Sequence, residues 1–377
     1  MIVRKPSMDM ANSGNNSKKI KRGFYNGAAR VRMVKMFANK LRNLLLEGVA
    51  IDLGTVNTIV GIGAEGIVLK EKSAVATSMN ERDNVIAVGN EAMALMQRTP
   101  GGVRASFPMR DGVIADHGLA EIMLKYFVEK ALGKKVGALG IRMLLCVPGC
   151  VTEVERRALE EAARSAGARD AHLMEESMAA AIGAGLPVRE PVGSMVVDIG
   201  GGTTDVAVIA MGGVAVSRSV RTGGIHLDEV ISAFIQNEYR LLVGASMAEQ
   251  VKLSLGATSG RSEKMQVRGR NLDSGLPTSI TLTAAEIHHA LKKPVSQIVQ
   301  AIKDTLSATP PELAADLLDT GVTLTGGGAG LKGLDELIAR ETGMPVFVAE
   351  RAIECVAIGA LRTLEDADAY SQLSQAG

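Results

Sequence analysis

The sequence predicts an α/β fold made from a duplicated unit: two domains, each with a mixed sheet flanked by helices, and a ligand cleft between them. Three observations predict it. Apolar runs at Val49–Ile51, Met195–Val197 and Val322–Leu324 each lead into a glycine-bearing turn. Strand-like and helix-like periods alternate from there to the C-terminal region, as in a sheet covered on both faces. The order strand, Asp-x-Gly turn, strand, strand, helix occurs at 49–132 and returns at 195–243.

The elements follow in order. After Val49–Ile51, alternation over Ile59–Val68 and Ser73–Val88 predicts a meander, then a helix at Glu91–Met96 and a loop at Thr99–Gly102. Ala115–Leu132 has a helical period and Met143–Val147 reads as a buried strand. Thr152-x-x-Glu155 is a capping box that opens a helix closing at Gly167. A strand at Ala171–Met174 leads into a small-residue helix, Glu176–Gly183, and the Pro- and Gly-bearing stretch Gly185–Gly193 is a loop. In the second half a helix is predicted at Leu227–Val243, and another from a capping box at Ser246-x-x-Glu249 to Gly256. A hairpin follows at Lys264–Leu272 and Thr278–Leu282, and Thr283-x-x-Glu286 starts a further helix. Val322–Leu324, Leu331–Thr342, Val346–Ala349 and Cys355–Leu364 finish as strand, helix, strand, helix.

The chemistry lies in the turns Asp52-Leu-Gly-Thr-Val-Asn-Thr58, Asp198-Ile-Gly-Gly-Gly-Thr-Thr-Asp205 and Leu324-Thr-Gly-Gly-Gly-Ala329. Glycines let a backbone bring its N–H groups against phosphate oxygens, and a carboxylate at a strand end can hold the water shell of Mg²⁺. One such turn recurs in ordinary α/β loops, but three in this arrangement read as a nucleoside-triphosphate clamp built from two halves. No Gly-Lys-Ser/Thr follows the glycines, and no Gly-x-Gly-x-x-Gly fingerprint is present, so neither a Walker loop nor a Rossmann site is indicated.

Composition limits the alternatives. The 377 residues are 46% hydrophobic and 22% charged, enough for two buried cores. A net charge of +1 gives no field for nucleic acid, although Asp9 is the only acid among many Lys and Arg in residues 1–45. The cysteines Cys146, Cys150 and Cys355 read as free thiols, the histidines have no metal-ligand spacing, and no apolar run reaches the about 18 residues of a membrane span. The N-terminus lacks a secretory core; its basic, acid-poor composition resembles a transit peptide more closely. Residues 1–35 read as a disordered basic extension, and 36–46 as an amphipathic helix with Met36, Phe37, Leu41, Leu44 and Leu45 on one face. That face suits either a membrane interface or the domain's own core.

From Met36 to Asp366 the sequence resembles the actin, sugar-kinase and heat-shock-chaperone ATPase superfamily, and within it the MreB family of bacterial actins. The stretches that carry the likeness are Ile51–Thr58, Pro108–Asp116, Val154–Arg157, Met178–Val188, Gly193–Ala207 and Val322–Ala329. A chaperone would need a further substrate domain, and a sugar kinase is normally longer. The resemblance implies an actin-like fold with the nucleotide in the interdomain cleft. The first domain would have its core at 47–67, 111–184 and 350–377 and a small subdomain at 68–110; the second, its core at 185–224 and 284–349 and a small subdomain at 225–283.

The same resemblance implies ATP and Mg²⁺ as ligands. Asp52 and Asp198 would hold the Mg²⁺ water shell. Gly54, Thr55, Val56, Asn57, Gly200, Gly201, Gly202 and Thr203 would cradle the phosphates, with Gly224 in the same binding set. Gly326, Gly327, Gly328 and Ala329 would line the nucleoside side, and Glu249 and Lys252 the adenine and ribose. Glu176 and Thr203 would orient the attacking water, although Glu176 could instead cap its helix and Glu249 complete its capping box.

The implied activity is slow ATP hydrolysis coupled to a homopolymer of antiparallel protofilament pairs, with Val154 on the contact between protofilaments. The filament would lie on the inner face of the cytoplasmic membrane through residues 36–45 and organise cell shape and wall synthesis with RodZ-, MreC- and MreD-type morphogenetic proteins. No nucleic acid is implied. A filament for plasmid or organelle positioning, and a monomeric kinase or chaperone-like ATPase, are the alternatives. The sequence departs from the family at Ser177, Ile225-His226, Gly330 and Arg351-Ala352. Gly330 stands where a bulky aliphatic residue usually meets the base, and Arg351 is a candidate compensating cation.

Overall fold

The computed structural model describes residues 46–79, 84–98, 102–133, 140–256, 262–366 and 369–370. The N-terminal extension and the apolar face of Met36, Phe37, Leu41, Leu44 and Leu45 lie outside the described residues, as do 99–101 of the expected loop.

The chain begins with β1 (Glu47–Leu53), β2 (Asn57–Ile62), β3 (Gly66–Lys72), β4 (Val75–Ser78), β5 (Val85–Val88), α1 (Asn90–Arg98) and β6 (Val103–Ser106). A short hairpin, β7 (Met109–Arg110) and β8 (Val113–Ile114), precedes α2 (His117–Leu132), β9 (Ile141–Val147), α3 (Glu153–Ser165), β10 (Ala168–Glu175) and α4 (Glu176–Ala184). Then come β11 (Ser194–Ile199), β12 (Thr204–Ala210), β13 (Gly213–Val220), α5 (Gly224–Tyr239), β14 (Leu241–Leu242) and α6 (Ala245–Leu255). The chain continues through β15 (Lys264–Asn271), β16 (Pro277–Thr283), α7 (Ala284–Ala308), α8 (Pro311–Thr320), β17 (Val322–Thr325), α9 (Leu334–Thr342), β18 (Val346–Val348) and α10 (Cys355–Glu365).

Two five-stranded sheets organise these elements, in the orders β3-β2-β1-β9-β10 and β13-β12-β11-β17-β18. In each, three antiparallel meander strands are followed by two parallel ones. The duplication therefore runs further than the strand, strand, strand, helix unit legible in the sequence. The parallel strands escape that reading in the second copy because α5 to α8 and the sheet β14-β15-β16 intervene between β13 and β17. A smaller sheet, β5-β4-β6, is inserted after the first meander.

Each large sheet has its own apolar core. Val49, Ile51, Phe127, Met143 and Leu145 belong to the first, and Val197, Val208, Ile231, Ile298 and Leu324 to the second. Two helices exchange sides between them: α4 leaves the last strand of the first sheet and packs on β11 and β12, while α10 leaves the last strand of the second and packs on β1, β2 and β9. Their crossing is backbone-close, since a Cβ on Gly183 would come within 1.8 Å of the Cys355 carbonyl oxygen and one on Gly359 within 1.8 Å of the Ala179 oxygen. The small residues of Glu176–Gly183, read from sequence only as a helix, make this crossing possible.

Several element limits differ from expectation. The Ile59–Val68 stretch is broken by a turn at Gly63–Glu65, which makes β2 and β3 a hairpin. Helix α2 starts at His117 because the Asp116 carboxylate accepts from the Leu119 amide as its cap. Helix α5 stops at Tyr239, where Arg240 turns left-handed at φ 53°, so Leu241 and Leu242 join a sheet instead of extending the helix. The Thr152 and Thr283 capping boxes form, but that at Ser246 does not: α6 begins at Ala245 behind Gly244, and Ser246 is already inside the helix. Helix α9 begins at Leu334, not Leu331, because Gly333 before it is left-handed at φ 77°. Helix α8 has no counterpart in the sequence reading.

Candidate functional site

The first glycine turn joins β1 to β2 and is braced from behind. The Ser73 hydroxyl donates to the Gly54 carbonyl at 2.6 Å, the Ser73 amide donates to the Val56 carbonyl at 2.9 Å, and Thr58 and Ser73 share a hydroxyl contact at 2.9 Å. The second turn joins β11 to β12, closed by the Gly200 amide donating to the Thr203 carbonyl at 2.9 Å. The amides of Gly224 and Ile225, at the start of α5, donate to the Gly200 and Gly201 carbonyls at 3.0 and 2.9 Å. Because Ile225 serves this turn through its backbone, its unusual side chain leaves the contact intact.

The two turns meet. A Cβ on Gly201 would lie 2.3 Å from Val56 Cγ2, and one on Gly202 would lie 2.6 Å from Thr55 Oγ1. Real Cβ atoms do not approach so closely, so only glycine permits this apposition. The third turn leans on the second, since a Cβ on Gly326 would strike the Ile199 carbonyl oxygen at 2.4 Å and one on Gly328 would strike Ile199 Cγ2 at 2.2 Å. The Gly326 amide donates to the Ala352 carbonyl at 2.8 Å, which ties this turn to the connection between β18 and α10.

Carboxylates gather behind these turns. Asp52 is the penultimate residue of β1, and burial followed by the charge of Asp198 pushes it up to about 8. Asp198, nearly fully buried, rises to about 7, chiefly through burial, against the pull of the Thr325 hydroxyl donating to it at 2.7 Å. Glu176 is held well above the ordinary carboxylate range by burial and then by Asp205, Asp52 and Asp198. It opens α4, but the cap position belongs to Glu175 and carries no side-chain cap bond, so capping does not explain Glu176. Among the described residues no three His, Cys, Asp or Glu side chains are grouped closely enough to hold a metal ion directly.

The residues expected on the adenine side lie on α6 and in the third turn. Lys252 is buried, and its ammonium donates to the Gly224 carbonyl and to Asp228, both at 2.9 Å. Glu249 lies half-buried in the second turn of α6, with the capping-box alternative removed by the earlier helix start. Gly327 and Gly330 face open space, with nothing within 4 Å of an added Cβ. The Arg351 guanidinium pairs with Glu354, which also pairs with Lys70, so Arg351 is engaged at the connection to α10 and is not a free cation for the base.

Two contributors, the tip of the β7–β8 hairpin and Asp205, are absent from the sequence-derived set. The tip of the β7–β8 hairpin inserts at the site: Asp111 is left-handed at φ 50°, the Gly112 amide donates to Thr55 Oγ1 at 3.2 Å, and a Cβ on Gly112 would meet Pro148 and Thr203. Its signal is the Asp-Gly dipeptide between Met109-Arg110 and Val113-Ile114. Asp205 is buried and accepts from the Gly149 amide at 3.2 Å. Asp205, Ser177 and Cys150 also line a cavity of about 110 Å³ with Gly149, Ser217 and Ser219.

With this geometry in view, comparison with known proteins is decisive. The family model described as MreB/Mbl protein matches residues 46–372. The chain belongs to the MreB/Mbl family. It is 47% identical over 336 residues to cell shape-determining protein MreB of Escherichia coli, covering 88% of this chain and 97% of that one. It is 46% identical over 327 residues to cell shape-determining protein Mbl of Bacillus subtilis, covering 86% and 98%. The crystal structure of MreB 5 of Spiroplasma citri bound to AMPPNP superposes with a TM-score of 0.80 at 33% identity, covering 88% of this chain and 99% of that one. The actin-like fold expected of an MreB/Mbl member is the fold present.

Proposed function

We propose that this chain binds Mg-ATP between the Asp52 and Asp198 turns, hydrolyses it slowly, and assembles into membrane-associated filaments that organise cell shape and wall synthesis. The observation that carries the reading is the apposition of the two turns, with glycine at every contact and the charge of Asp198 acting on Asp52. Two carboxylates raised by burial, Asp52 also by the charge of Asp198 and Asp198 also by that of Asp205, form a site that gains when a cation arrives. The second turn contributes only glycine backbone where it meets Val56 and Thr55, which leaves room for a polyphosphate. The AMPPNP bound to the Spiroplasma relative is the same class of ligand.

Asp52 and Asp198 would hold Mg²⁺ through its water shell, and the ion would supply charge neutralisation for the phosphates. Gly54, Thr55, Val56, Asn57 and Gly200 to Thr203 would cradle the phosphates, with Gly224, Gly326 to Ala329, Glu249 and Lys252 on the nucleoside side. Glu176 has the raised proton affinity that suits a carboxylate taking a proton from water, and Thr203 shares its neighbourhood through Asp205. Filament contacts would use Val154, which is 78% exposed at the start of α3. The basic, apolar-faced stretch 36–45 would bind the inner membrane surface.

The test combines sedimentation, phosphate release and liposome flotation. Wild-type protein should pellet with Mg-ATP and float with anionic vesicles, and a chain starting at Val49 should lose flotation. Glu176→Ala should keep nucleotide affinity while phosphate release falls about a hundredfold. No measurable affinity for Mg-ATP would end the nucleotide reading, and unchanged turnover would remove Glu176 from it.

A further inference from the structure

Helices α5 and α6 pack against each other, and an ion pair largely removed from solvent lies in their contact. Lys252 on α6 and Asp228 on α5 approach to 2.9 Å, with side chains only 11% and 19% exposed. Lys252 also donates to the Gly224 carbonyl at 2.9 Å, while the Gly224 amide donates to the Gly200 carbonyl at 3.0 Å. The ammonium is thereby tied to the second glycine turn through a single residue. Desolvating such a pair offsets much of its attraction, so its presence is weak evidence of a stabilising role. Asp228 fits that view: one oxygen accepts from Lys252, and the other is buried with no hydrogen-bond partner.

An ammonium has three N–H groups, and among the described residues Gly224 and Asp228 take two of them. The third is left for a ligand. A Cβ on Gly224 would come within 3.2 Å of Lys252 Nζ, so glycine at this position keeps the approach clear. Charge decides which group the third N–H suits. Burial raises Asp228 to about 6 against the pull of Lys252, so at neutral pH the carboxylate is ionised and cancels the ammonium. A pair with no net charge offers a phosphate little attraction, and its carboxylate repels one. A sugar hydroxyl is neutral and can accept, so it gains the hydrogen bond without that repulsion.

We propose that Asp228 is a positioning residue that sets sugar selectivity: it holds and neutralises Lys252 so that the remaining N–H is given to a ribose hydroxyl and not to a phosphate. This rests on the nucleotide reading above, which puts Lys252 on the nucleoside side. Asp228 itself does not touch the nucleotide, because one of its oxygens is spent on Lys252 and the other is buried. Without its charge Lys252 becomes an unneutralised cation beside the phosphate turn, and the polyphosphate competes with the sugar for it.

Equilibrium binding of Mg-ATP, its 2′-deoxy and 3′-deoxy analogues and Mg-tripolyphosphate to the full chain tests this. Wild type should bind at least one deoxy analogue about tenfold more weakly than ATP. Asp228→Asn keeps the shape and leaves an amide oxygen for Lys252 but removes the charge. Its ratio of ATP to deoxy-ATP affinity should fall to within about twofold, while tripolyphosphate, which has no sugar, binds as tightly as to wild type or tighter. Asp228→Ser is the second variant and should give the same ratio. Lys252→Met should lose the same discrimination, and combining it with Asp228→Asn should remove no more. A staple between α5 and α6 with no part in recognition would instead weaken all four ligands by one factor and keep the wild-type ratio. That result, or a wild type that binds ATP and both analogues within about twofold, would overturn the role of Asp228 and leave the nucleotide reading standing. A wild type with no affinity for Mg-ATP would end both.

Discussion

Asp198→Asn should make the ligand-free protein more stable while removing its affinity for Mg-ATP. Asp198 titrates at about 7 in the fold against 3.8 unperturbed. Its pKa is raised, so the folded state holds the proton more tightly than the unfolded chain, and stability is lost as pH rises between those values. The full shift corresponds to about 4 kcal/mol at about 1.4 kcal/mol per unit, and about 3 kcal/mol of it falls above pH 5. Asparagine does not titrate, and its carbonyl can still accept the Thr325 hydroxyl that reaches Asp198 at 2.7 Å. Thermal melting in chelator from pH 5 to pH 8.5 is the assay. The variant should gain on wild type across that range by roughly 4 °C in melting temperature, the equivalent of about 3 kcal/mol for a protein of this size. The same variant should show no upward shift of melting with Mg-ATP, where wild type does. A variant that melts below wild type at pH 8.5, or parallel pH profiles, would refute the account of a strained, cation-seeking pair.

Three further outcomes follow from the geometry. Gly201→Ala places a methyl against Val56 and should weaken ATP binding about tenfold, with Val56→Ala added to it restoring most of the loss; titration with a fluorescent nucleotide measures both. Gly359→Ala forces a Cβ to 1.8 Å from a carbonyl oxygen at the α4–α10 crossing and should cost about 3 kcal/mol or more in urea unfolding, whereas Gly185→Ala at the C-cap, with open space around it, should cost only about 1 kcal/mol from its left-handed backbone. Gly330→Leu enters open space and should leave the melting temperature within about 1 °C while tightening adenine nucleotides several-fold over guanine ones, read in competition binding.

Much of the fold was legible because it is local. The Thr152 and Thr283 boxes cap their helices as written, and the apolar runs before the glycine turns are β1, β11 and β17. Ser246 misled because the same Ser-x-x-Glu spacing falls at the second residue of a helix that Gly244 had already opened. Arg351 misled because its partner, Glu354, lies only three residues along but is fixed by packing against Lys70 from the other end of the chain.

The sequence by itself determined the turns, their carboxylates and the membership of the MreB/Mbl family, because backbone freedom at glycine and strand-end aspartates are properties of short segments. Only the tertiary structure decided that Gly201 meets Val56, that α4 and α10 exchange sheets, and that Asp205 faces Asp198 where its repeat has Ile59. Such relations depend on strand register and on which apolar faces are buried together, and the free energy fixing both is spread over residues far apart in the chain.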